Sequence, residues 1–230
     1  MTIPIIKYIT SLIILFIIFL FYCHISKLKI INNELKILQV SDPDPDMAYE
    51  LLDHHQPIVF QKELYFWKEF NSSIIGKSLT DIKSIIATNN NIVNYSDYIR
   101  NNLEIYNLPL AYDWNIDIRN IILNDKSAIF FIKQNNYLQM FGCVTGEMRV
   151  IIAPPDQESF LKPIINLVST VDATNILNKE PMEINYIEII VRQGNMIFIP
   201  WNWFYFIYKS SQDKESVIVD CINKSPLTFI

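Results

Sequence analysis

The sequence contains little of what metal sites and disulfide frameworks are made of. It has 3 cysteines and 3 histidines in 230 residues. Cys23, Cys143 and Cys221 have neither the spacing of a zinc site nor that of a disulfide framework. Because Cys143 and Cys221 fall in predicted strands, we expect both to be buried free thiols. Residues 100–210 contain no histidine, which removes the commonest metal ligand from a large part of the chain.

Concentrated positive charge is also absent. The formal net charge is −5, and no run of Lys and Arg is longer than a pair. A nucleic-acid-binding surface needs a basic face that neutralises phosphates, so the composition excludes nucleic acid as a partner. Glycine is scarce, with 4 residues, in a composition rich in isoleucine and asparagine. That bias is typical of AT-rich coding DNA, as in some large DNA viruses and protists.

A long apolar segment stands at the N-terminus. Tyr8–Cys23 carries no charge, and with the residues before Lys7 the stretch has about 20 residues, roughly 30 Å as a helix. A cleaved signal peptide is the alternative, but bulky residues follow the stretch where a cleavage site needs small ones. We therefore predict a transmembrane anchor at 1–25, a juxtamembrane linker at 26–46 and one folded domain at 47–230.

This anchor predicts a single-pass membrane protein, in a viral or host-cell membrane if the composition reflects a viral source. Lys7 precedes the apolar segment, and three lysines follow it: Lys27, Lys29 and Lys36. The positive-inside rule therefore favours a cytoplasmic position for the domain. The oligomeric state stays open.

From about Ser127 onwards, short β-branched or aromatic runs alternate with polar, Pro- or Gly-containing turns. The runs are "SAIFFIKQ", "YLQMFGCVTG", "EMRVIIAPP", "YIEIIV", "MIFIP", "FYFIYKS" and "ESVIVDCIN". Upstream, "MAYELLDHH" and "SLTDIKSIIATN" fit helices and "QPIVFQ" fits a strand, while "DQESFLKPIINLVS" fits a helix between strands. Many short strands predict a mainly β domain with flanking helices, arranged as an antiparallel sandwich or small barrel.

Three segments carry a resemblance to a known family. They are "QPIVF" followed by Trp67, "GEMRVIIAPPDQ" at Gly146–Gln157, and the closing "GNMIFIPWNWFYFI" at Gly194–Ile207. In this order and spacing they resemble the JmjC and cupin-like 2-oxoglutarate, Fe(II)-dependent oxygenases, closest to the asparaginyl-hydroxylase-like branch. The resemblance covers roughly Leu38 to Ser225 and implies a double-stranded β-helix, also called a jelly-roll or cupin barrel. It also implies Fe(II) and 2-oxoglutarate as the family's cofactor and co-substrate.

The positions that match the family's iron ligands hold other residues. Such enzymes bind Fe(II) with two histidines and one carboxylate. Lys133 and Asn135 stand at the positions of the first histidine and the carboxylate, and Tyr205 stands at the position of the second histidine. A protonated lysine has no lone pair to offer a metal, and an amide oxygen is a poorer ligand than a carboxylate. We therefore expect the standard iron site to be absent, and Lys133, Asn135 and Tyr205 to converge inside one barrel.

The family's co-substrate position has changed as well. A lysine that binds 2-oxoglutarate in many relatives corresponds to Met148, with Arg149 next to it, and the acidic residue of the closing segment corresponds to Asn195. We accordingly expect neither Fe(II) nor 2-oxoglutarate to be bound. Lys133, Tyr205 and Trp203 remain candidates to line a pocket in place of the lost site.

The remaining histidines and aromatic residues favour structural roles. His24 lies at the membrane edge, and adjacent histidines such as His54 and His55 at a helix end rarely share a metal. The closing segment's aromatic residues alternate along a strand, which favours a split between the core and an outer packing layer. Asp113 and Trp114 fit a loop better than the cap of a pocket mouth.

Three functions fit these observations. The first is a membrane-anchored, catalytically inactive pseudo-oxygenase that acts as a binding or scaffold module, with a protein as its partner. The second is an active 2-oxoglutarate-dependent hydroxylase or demethylase with an atypical site. The third is a binder of a small anionic ligand, held by Lys133 and Arg149. The missing ligands favour the first, so we expect no enzymatic activity.

Overall fold

The computed structural model describes residues 2–41, 45–61, 116–123, 129–136, 138–162, 184–210 and 216–223. Helix α1, Thr2–Leu28, opens the chain with 27 residues, about 40 Å of helix. Side chains 6–19 are all exposed, and Ile6–Cys23 is apolar and long enough to cross a membrane. A signal sequence also meets that requirement, so length and composition establish an apolar N-terminal helix and no more.

Six strands form the larger sheet. They are β1 (Leu38–Ser41), β2 (Ile58–Gln61), β3 (Ile116–Leu123), β5 (Leu138–Thr145), β8 (Met196–Ile199) and β10 (Ser216–Asn223). Their order across the sheet is β1-β2-β8-β5-β10-β3. The pairing of β1 with β2 is parallel, and the other pairings are antiparallel.

Four strands form the smaller sheet. They are β4 (Ile129–Lys133), β6 (Glu147–Ala153), β7 (Ile187–Arg192) and β9 (Phe204–Lys209). They follow the order β4-β9-β6-β7 and are antiparallel throughout. Gly146 makes the tight turn between β5 and β6 with φ 77°, and a Cβ there would lie 2.6 Å from the Ser216 hydroxyl oxygen. Only glycine fits that position without strain.

The main core lies where side chains from both sheets meet. Phe141, Cys143 and Ile197 come from the larger sheet, and Ile152 and Tyr205 come from the smaller one. Alternate residues of each strand contribute, as expected when one sheet face packs against another. The other thiol, that of Cys221, is also buried, and neither it nor Cys143 forms a disulfide. The prediction of two buried free thiols is confirmed.

A second cluster covers the outer face of the smaller sheet. It contains Ile151, Ala153, Phe204 and Phe206, covered by Leu161. Leu161 belongs to the helical residues 158–162, which follow the 3₁₀ turn Pro155–Gln157. Along β9 the even-numbered aromatics therefore face outwards, whereas Tyr205 faces the core. The predicted split of the aromatic segment between core and outer layer is confirmed.

Helix α2, Pro45–Asp53, matches the helix that the sequence predicts before the first strands. His54 and His55 follow it, and their amides donate to the carbonyls of Leu51 and Leu52 at 3.2 Å each. His55 has φ 52°, the left-handed conformation that commonly ends a helix. Both histidines therefore belong to the C-terminal turn of the helix, as predicted.

Two strands differ from the sequence interpretation. Strand β3, Ile116–Leu123, forms an edge of the larger sheet, where the sequence analysis predicted no strand. Strand β1 lies inside residues 26–46, the predicted juxtamembrane linker, and it pairs with β2. The predicted helix at residues 78–89 lies outside the described residues, as do Asp113 and Trp114.

Candidate functional site

Lys133 lies on the outer face of the smaller sheet. It is opposite Phe204 in the β4–β9 register, and paired residues of antiparallel strands share a face. Its Nζ is 2.8 Å from Glu158 Oε2 and 5.7 Å from the centre of the Phe204 ring. The expectation that Lys133 projects into the barrel is therefore wrong.

Asn135 does not join a site either. Its side chain is exposed, whereas Gln134 before it is fully buried. Since successive side chains of an extended segment point to opposite faces, the inward position is Gln134 rather than Lys133 or Asn135. The structure thus separates Lys133, Asn135 and Tyr205 and corrects the expected convergence of the three.

Met148 and Arg149 also occupy opposite faces. Met148 is fully buried in the main core. Arg149 is on the outer face, where its Nη1 is 2.8 Å from Glu188 Oε1, and the Tyr208 hydroxyl donates to the same oxygen at 2.8 Å. The hydrogen bonds from Tyr208 and Arg149 lower the pKa of Glu188. Arg149 and Lys133 each pair with a carboxylate on the outer face, so they do not form an interior anion site.

Tyr205 is the predicted site residue that does lie inside. Its side chain is buried, and its ring is 5.3 Å from the ring of Phe141 between centroids. The hydroxyl donates to Gln139 Oε1 at 3.3 Å. Burial, followed by the negative charge of Asp220, raises the pKa of Tyr205 well above its usual value of 10.0. The side chain is therefore a neutral phenol that acts as a hydrogen-bond donor.

Gln139 connects Tyr205 to the larger sheet. Its Nε2 donates to Asp220 Oδ1 at 3.0 Å, and its Oε1 accepts a second bond from Asn136 Nδ2 at 3.2 Å. Asp220 and Gln139 are both buried, on strands β10 and β5. Asp220 pairs with Phe141 of β5 on one side of β10 and with Arg119 of β3 on the other. Gln139 is therefore the centre of a buried polar network.

Gln134 completes this network. Its Nε2 donates to the Ile199 carbonyl at 3.2 Å, and its Oε1 accepts from the Asn136 amide at 2.7 Å. Its backbone amide donates to the Trp203 carbonyl at 2.8 Å. Trp203 is itself buried in the main core. Gln134 is thus held from several sides, and Trp203, predicted to line a pocket, packs within the core.

We call this set the inner polar network: Gln134, Asn136, Gln139, Tyr205 and Asp220. Tyr205 is the one member of this network that the sequence indicates as a site residue. A signal for two others was present, because Gln139 and Asp220 are polar residues inside the apolar runs "LQMFGCV" and "VIVDCI". A polar residue at a buried strand position must find a hydrogen-bond partner, and here these two are bonded to each other.

The residues present do not fit an iron centre of the facial-triad type. That centre needs imidazoles and a carboxylate around one point, whereas the inner polar network supplies amides, a neutral phenol and the single carboxyl group of Asp220. Within the described part of the chain no three His, Cys, Asp or Glu residues form a group that could hold a metal. The Tyr205 hydroxyl is already engaged as a donor, which is the reverse of a metal ligand's role.

Comparison with protein families assigns the domain. The model of the cupin-like domain family matches residues 40–221, more than half of the chain. The chain therefore belongs to the cupin-like domain family. The matched range begins within β1 and ends within β10, so it contains almost all of both sheets.

Solved structures give only distant likenesses. The cupin domain of CENP-C from Drosophila melanogaster is 13% identical, with a TM-score of 0.30, over 46% of this chain and 59% of that one. A dTDP sugar isomerase from Desulfovibrio desulfuricans is 12% identical, with a TM-score of 0.31, over 47% and 57%. The chain thus spans less than two thirds of either structure, and likenesses at these scores carry no argument about function. No curated protein matches the chain.

Proposed function

We propose that this chain is a membrane-anchored cupin-like protein that works as a binding or scaffold module and has no iron-dependent oxygenase activity. The observation that carries the proposal is the hydrogen-bonded series Tyr205–Gln139–Asp220 in the core. Tyr205 stands where the resemblance to the JmjC-type oxygenases places an iron ligand. Here that position serves to hold the two sheets together.

The polar network supports a structural role because its hydrogen bonds are satisfied internally. Gln139 uses both ends of its amide, and Gln134 does the same with Ile199 and Asn136. A metal or co-substrate that entered here would displace these bonds and leave buried groups unpaired, at about 1–3 kcal/mol for each group. A network that is complete without a ligand is better explained by stability than by catalysis.

The strand order supports a double-stranded β-helix as the detailed architecture of the domain. From β3 to β6, consecutive strands alternate between the larger and the smaller sheet, and from β7 to β10 they do so again. Such alternation is how a jelly roll or cupin winds two sheets around one core. It is also the architecture that the resemblance to the JmjC-type oxygenases implies.

Helix α1 supports the anchoring part of the proposal. The helix is longer than a bilayer core requires, its described side chains from Ile6 to Phe19 are exposed, and bulky residues follow the apolar stretch Tyr8–Cys23 where a cleavage site needs small ones. An uncleaved helix of this kind gives a single-pass protein. The domain that it holds at the membrane would then present its surface to a protein partner.

The experiment purifies the full chain in detergent under anaerobic conditions with Fe(II), measures the bound iron, and then adds 2-oxoglutarate together with O₂, the oxidant that decarboxylation consumes. We expect far less than one equivalent of bound iron and no decarboxylation of 2-oxoglutarate. Iron near one equivalent together with turnover would overturn the assignment as a module without oxygenase activity.

A second arm tests the anchor. Membranes that carry the full chain are extracted with alkaline carbonate and compared with membranes that carry a variant lacking residues 2–23. The full chain should stay in the pellet with its N-terminus intact, and the variant should be released. Recovery of a mature chain cleaved after α1 would show a signal sequence and refute the anchor.

A further inference from the structure

The segment between α1 and β1 is fastened to the cupin-like domain. Asn32 Nδ2 donates to the carbonyl of His54 at 3.0 Å, and Gln56 Nε2 donates to Glu34 Oε2 at 2.7 Å. Ile37 packs against the main core. A free segment of this length could extend to about 30 Å, but here the chain is already held at Asn32, four residues after the helix ends. The domain is therefore kept close to the end of α1.

The same segment folds into a compact turn. The Asn32 side-chain oxygen accepts from the Glu34 amide at 2.9 Å, and the Glu34 carbonyl accepts from the Lys36 amide at 2.8 Å. An Asn side chain that binds the amide two residues later is a common way to fix a turn. We call Lys29–Lys36 the juxtamembrane turn. Its backbone is shaped by its own hydrogen bonds and not only by the domain.

The juxtamembrane turn leaves apolar side chains exposed. Ile30 and Ile31 are each 53% exposed and Leu35 is 38% exposed, and exposed lysines, Lys29 and Lys36, stand at its two ends. One exposed apolar residue on a surface needs no explanation. Three of them between two lysines, directly after a helix of membrane-spanning length, have the composition of a segment that lies at a bilayer surface.

Charge favours the same partner. Residues 24–41 contain three lysines and one glutamate, a formal charge of +2, in a chain whose net charge is −5. The glutamate, Glu34, is the residue whose carboxylate accepts the Gln56 hydrogen bond. Basic residues beside a membrane-spanning segment are attracted to anionic headgroups. A segment with local positive charge, in an otherwise acidic chain, thus lies where such a surface would be.

We propose that the juxtamembrane turn is a second membrane contact, which lies among the headgroups of an anionic bilayer and fixes the orientation of the cupin-like domain on it. This inference rests on the proposed anchoring by α1. Ile30, Ile31 and Leu35 enter the interface, and Lys29 and Lys36 contact anionic lipid. The hydrogen bonds of Asn32 and Glu34 hold the turn to the residues between α2 and β2.

The test uses the full chain, with Cys23→Ser, in phosphatidylcholine vesicles with and without phosphatidylserine. A fluorophore is attached through Ile31→Cys, and a matched one through Ile190→Cys, since Ile190 is a comparably exposed isoleucine on β7 at 41%. We expect a lipid-attached nitroxide to quench position 31 several-fold more than position 190, and acrylamide in the water to do the reverse. Phosphatidylserine should increase the difference, and Lys29→Gln with Lys36→Gln should remove that increase.

Other outcomes would overturn the proposal. Equal quenching at the two positions would show that the turn stays in water. Shielding of position 31 from both quenchers, with cross-linking to a second copy, would assign the surface to a contact between chains. Carbonate extraction of the same samples separates these results from a failure of α1 to anchor, because an unanchored chain would not sediment with the vesicles.

The role of the hydrogen bonds has its own measurement. Energy transfer from the fluorophore at position 190 to acceptor lipids measures the distance between the domain and the bilayer surface. With Asn32 and Gln56 unchanged, we expect a narrow distribution of this distance. Asn32→Ala combined with Gln56→Ala should broaden that distribution and leave quenching at position 31 in place. An unchanged distribution would show that these bonds do not orient the domain.

Discussion

The two faces of the smaller sheet carry polar groups of different kinds. On the outer face, lysine and arginine side chains pair with carboxylates in partly exposed positions, as in Lys133–Glu158 and Arg149–Glu188. On the inner face, Tyr205 belongs to a network of amides, a phenol and one carboxyl group, whose members are buried except for the half-buried Asn136. Lys133 and Arg149, the cations that an interior anion-binding site would need, therefore lie outside the core.

This difference follows from the energetics of burial. An exposed ion pair keeps most of its hydration and adds little to stability, whereas a buried polar group without a partner destabilises the fold by about 1–3 kcal/mol. Neutral amides such as Gln139 can be satisfied inside a core by a few hydrogen bonds. The inner face should therefore be sensitive to loss of one partner, and the outer face should tolerate it.

Replacement of Gln139 by leucine should have the largest effect. The substitution keeps the size of the side chain and removes its amide, which leaves the Tyr205 hydroxyl and an Asp220 oxygen without this partner in the core. We expect the free energy of unfolding to fall by about 3 kcal/mol. Denaturant unfolding of the full chain in detergent micelles, followed by circular dichroism, measures the change.

The matched control is Glu188→Gln on the outer face, which removes a charge at a site open to water. It should change the free energy of unfolding by less than about 0.5 kcal/mol. If the two variants lost the same stability, the contrast between the faces would be refuted.

Alkaline pH should give the next largest effect. The folded pKa of Tyr205 is raised above its unfolded value of 10.0, so the stability that its neutral form contributes is fully present below pH 10. It is lost as the pH rises through the folded pKa, at about 1.4 kcal/mol for each pH unit. Tyr205→Phe should therefore show a shallower loss above pH 10 than the original chain.

The buried thiols respond in the same direction. Burial raises the pKa of Cys143 to about 12 and raises the pKa of Cys221 as well. Both cysteines are present in the original chain and in Tyr205→Phe. The difference between the alkaline unfolding curves of these two proteins therefore measures the contribution of the Tyr205 phenol alone. Parallel curves would mean that the Tyr205 hydroxyl is open to solvent.

The sequence predicted most of the β structure but not the face on which each side chain lies. The alternating aromatic segment predicted that Tyr205 and Phe204 point to opposite sides, and they do. The predicted inward-facing position, Lys133, is one residue away from the buried Gln134. In a strand, a shift of one residue moves a side chain to the opposite face. The β4–β9 register has an irregularity between Ile129 and Ile132, which nothing in the local sequence announces.

The strands that were not predicted from the sequence also depend on pairing with distant parts of the chain. Strand β1 has four residues beside an acidic, proline-containing stretch, and its edge position depends on parallel pairing with β2. The inner polar network could be suspected from Gln139 and Asp220, but their contact joins residues 81 apart in sequence. Such pairs follow from the arrangement of the sheets, which composition and periodicity do not determine.

A smaller effect should come from Tyr205→Phe at neutral pH. Gln139 Oε1 keeps the bond from Asn136 when the hydroxyl is removed, so only one hydrogen bond is lost, about 1 kcal/mol of stability. Tyr208→Phe is the control, because its hydroxyl binds Glu188 on the outer face and should matter less. Thermal unfolding of both variants tests this order, and carbonate extraction should show that both remain in the membrane.

The smallest effect should come from the outer ion pair of Lys133 and Glu158. Hydrogen bonds from Lys133 and then Lys162 lower the pKa of Glu158 below its usual value of 4.5. The pair therefore stabilises the fold above that pH and is lost as the pH falls through the lower folded pKa. Because the groups are partly exposed, we expect Glu158→Gln to change stability by less than about 0.5 kcal/mol at neutral pH, and high salt should abolish even that. Unfolding curves at neutral and acid pH, each at low and high salt, measure this. A loss that survives high salt would show that Lys133 depends on Glu158 as a buried charge would, and it would contradict the tolerance expected of the outer face.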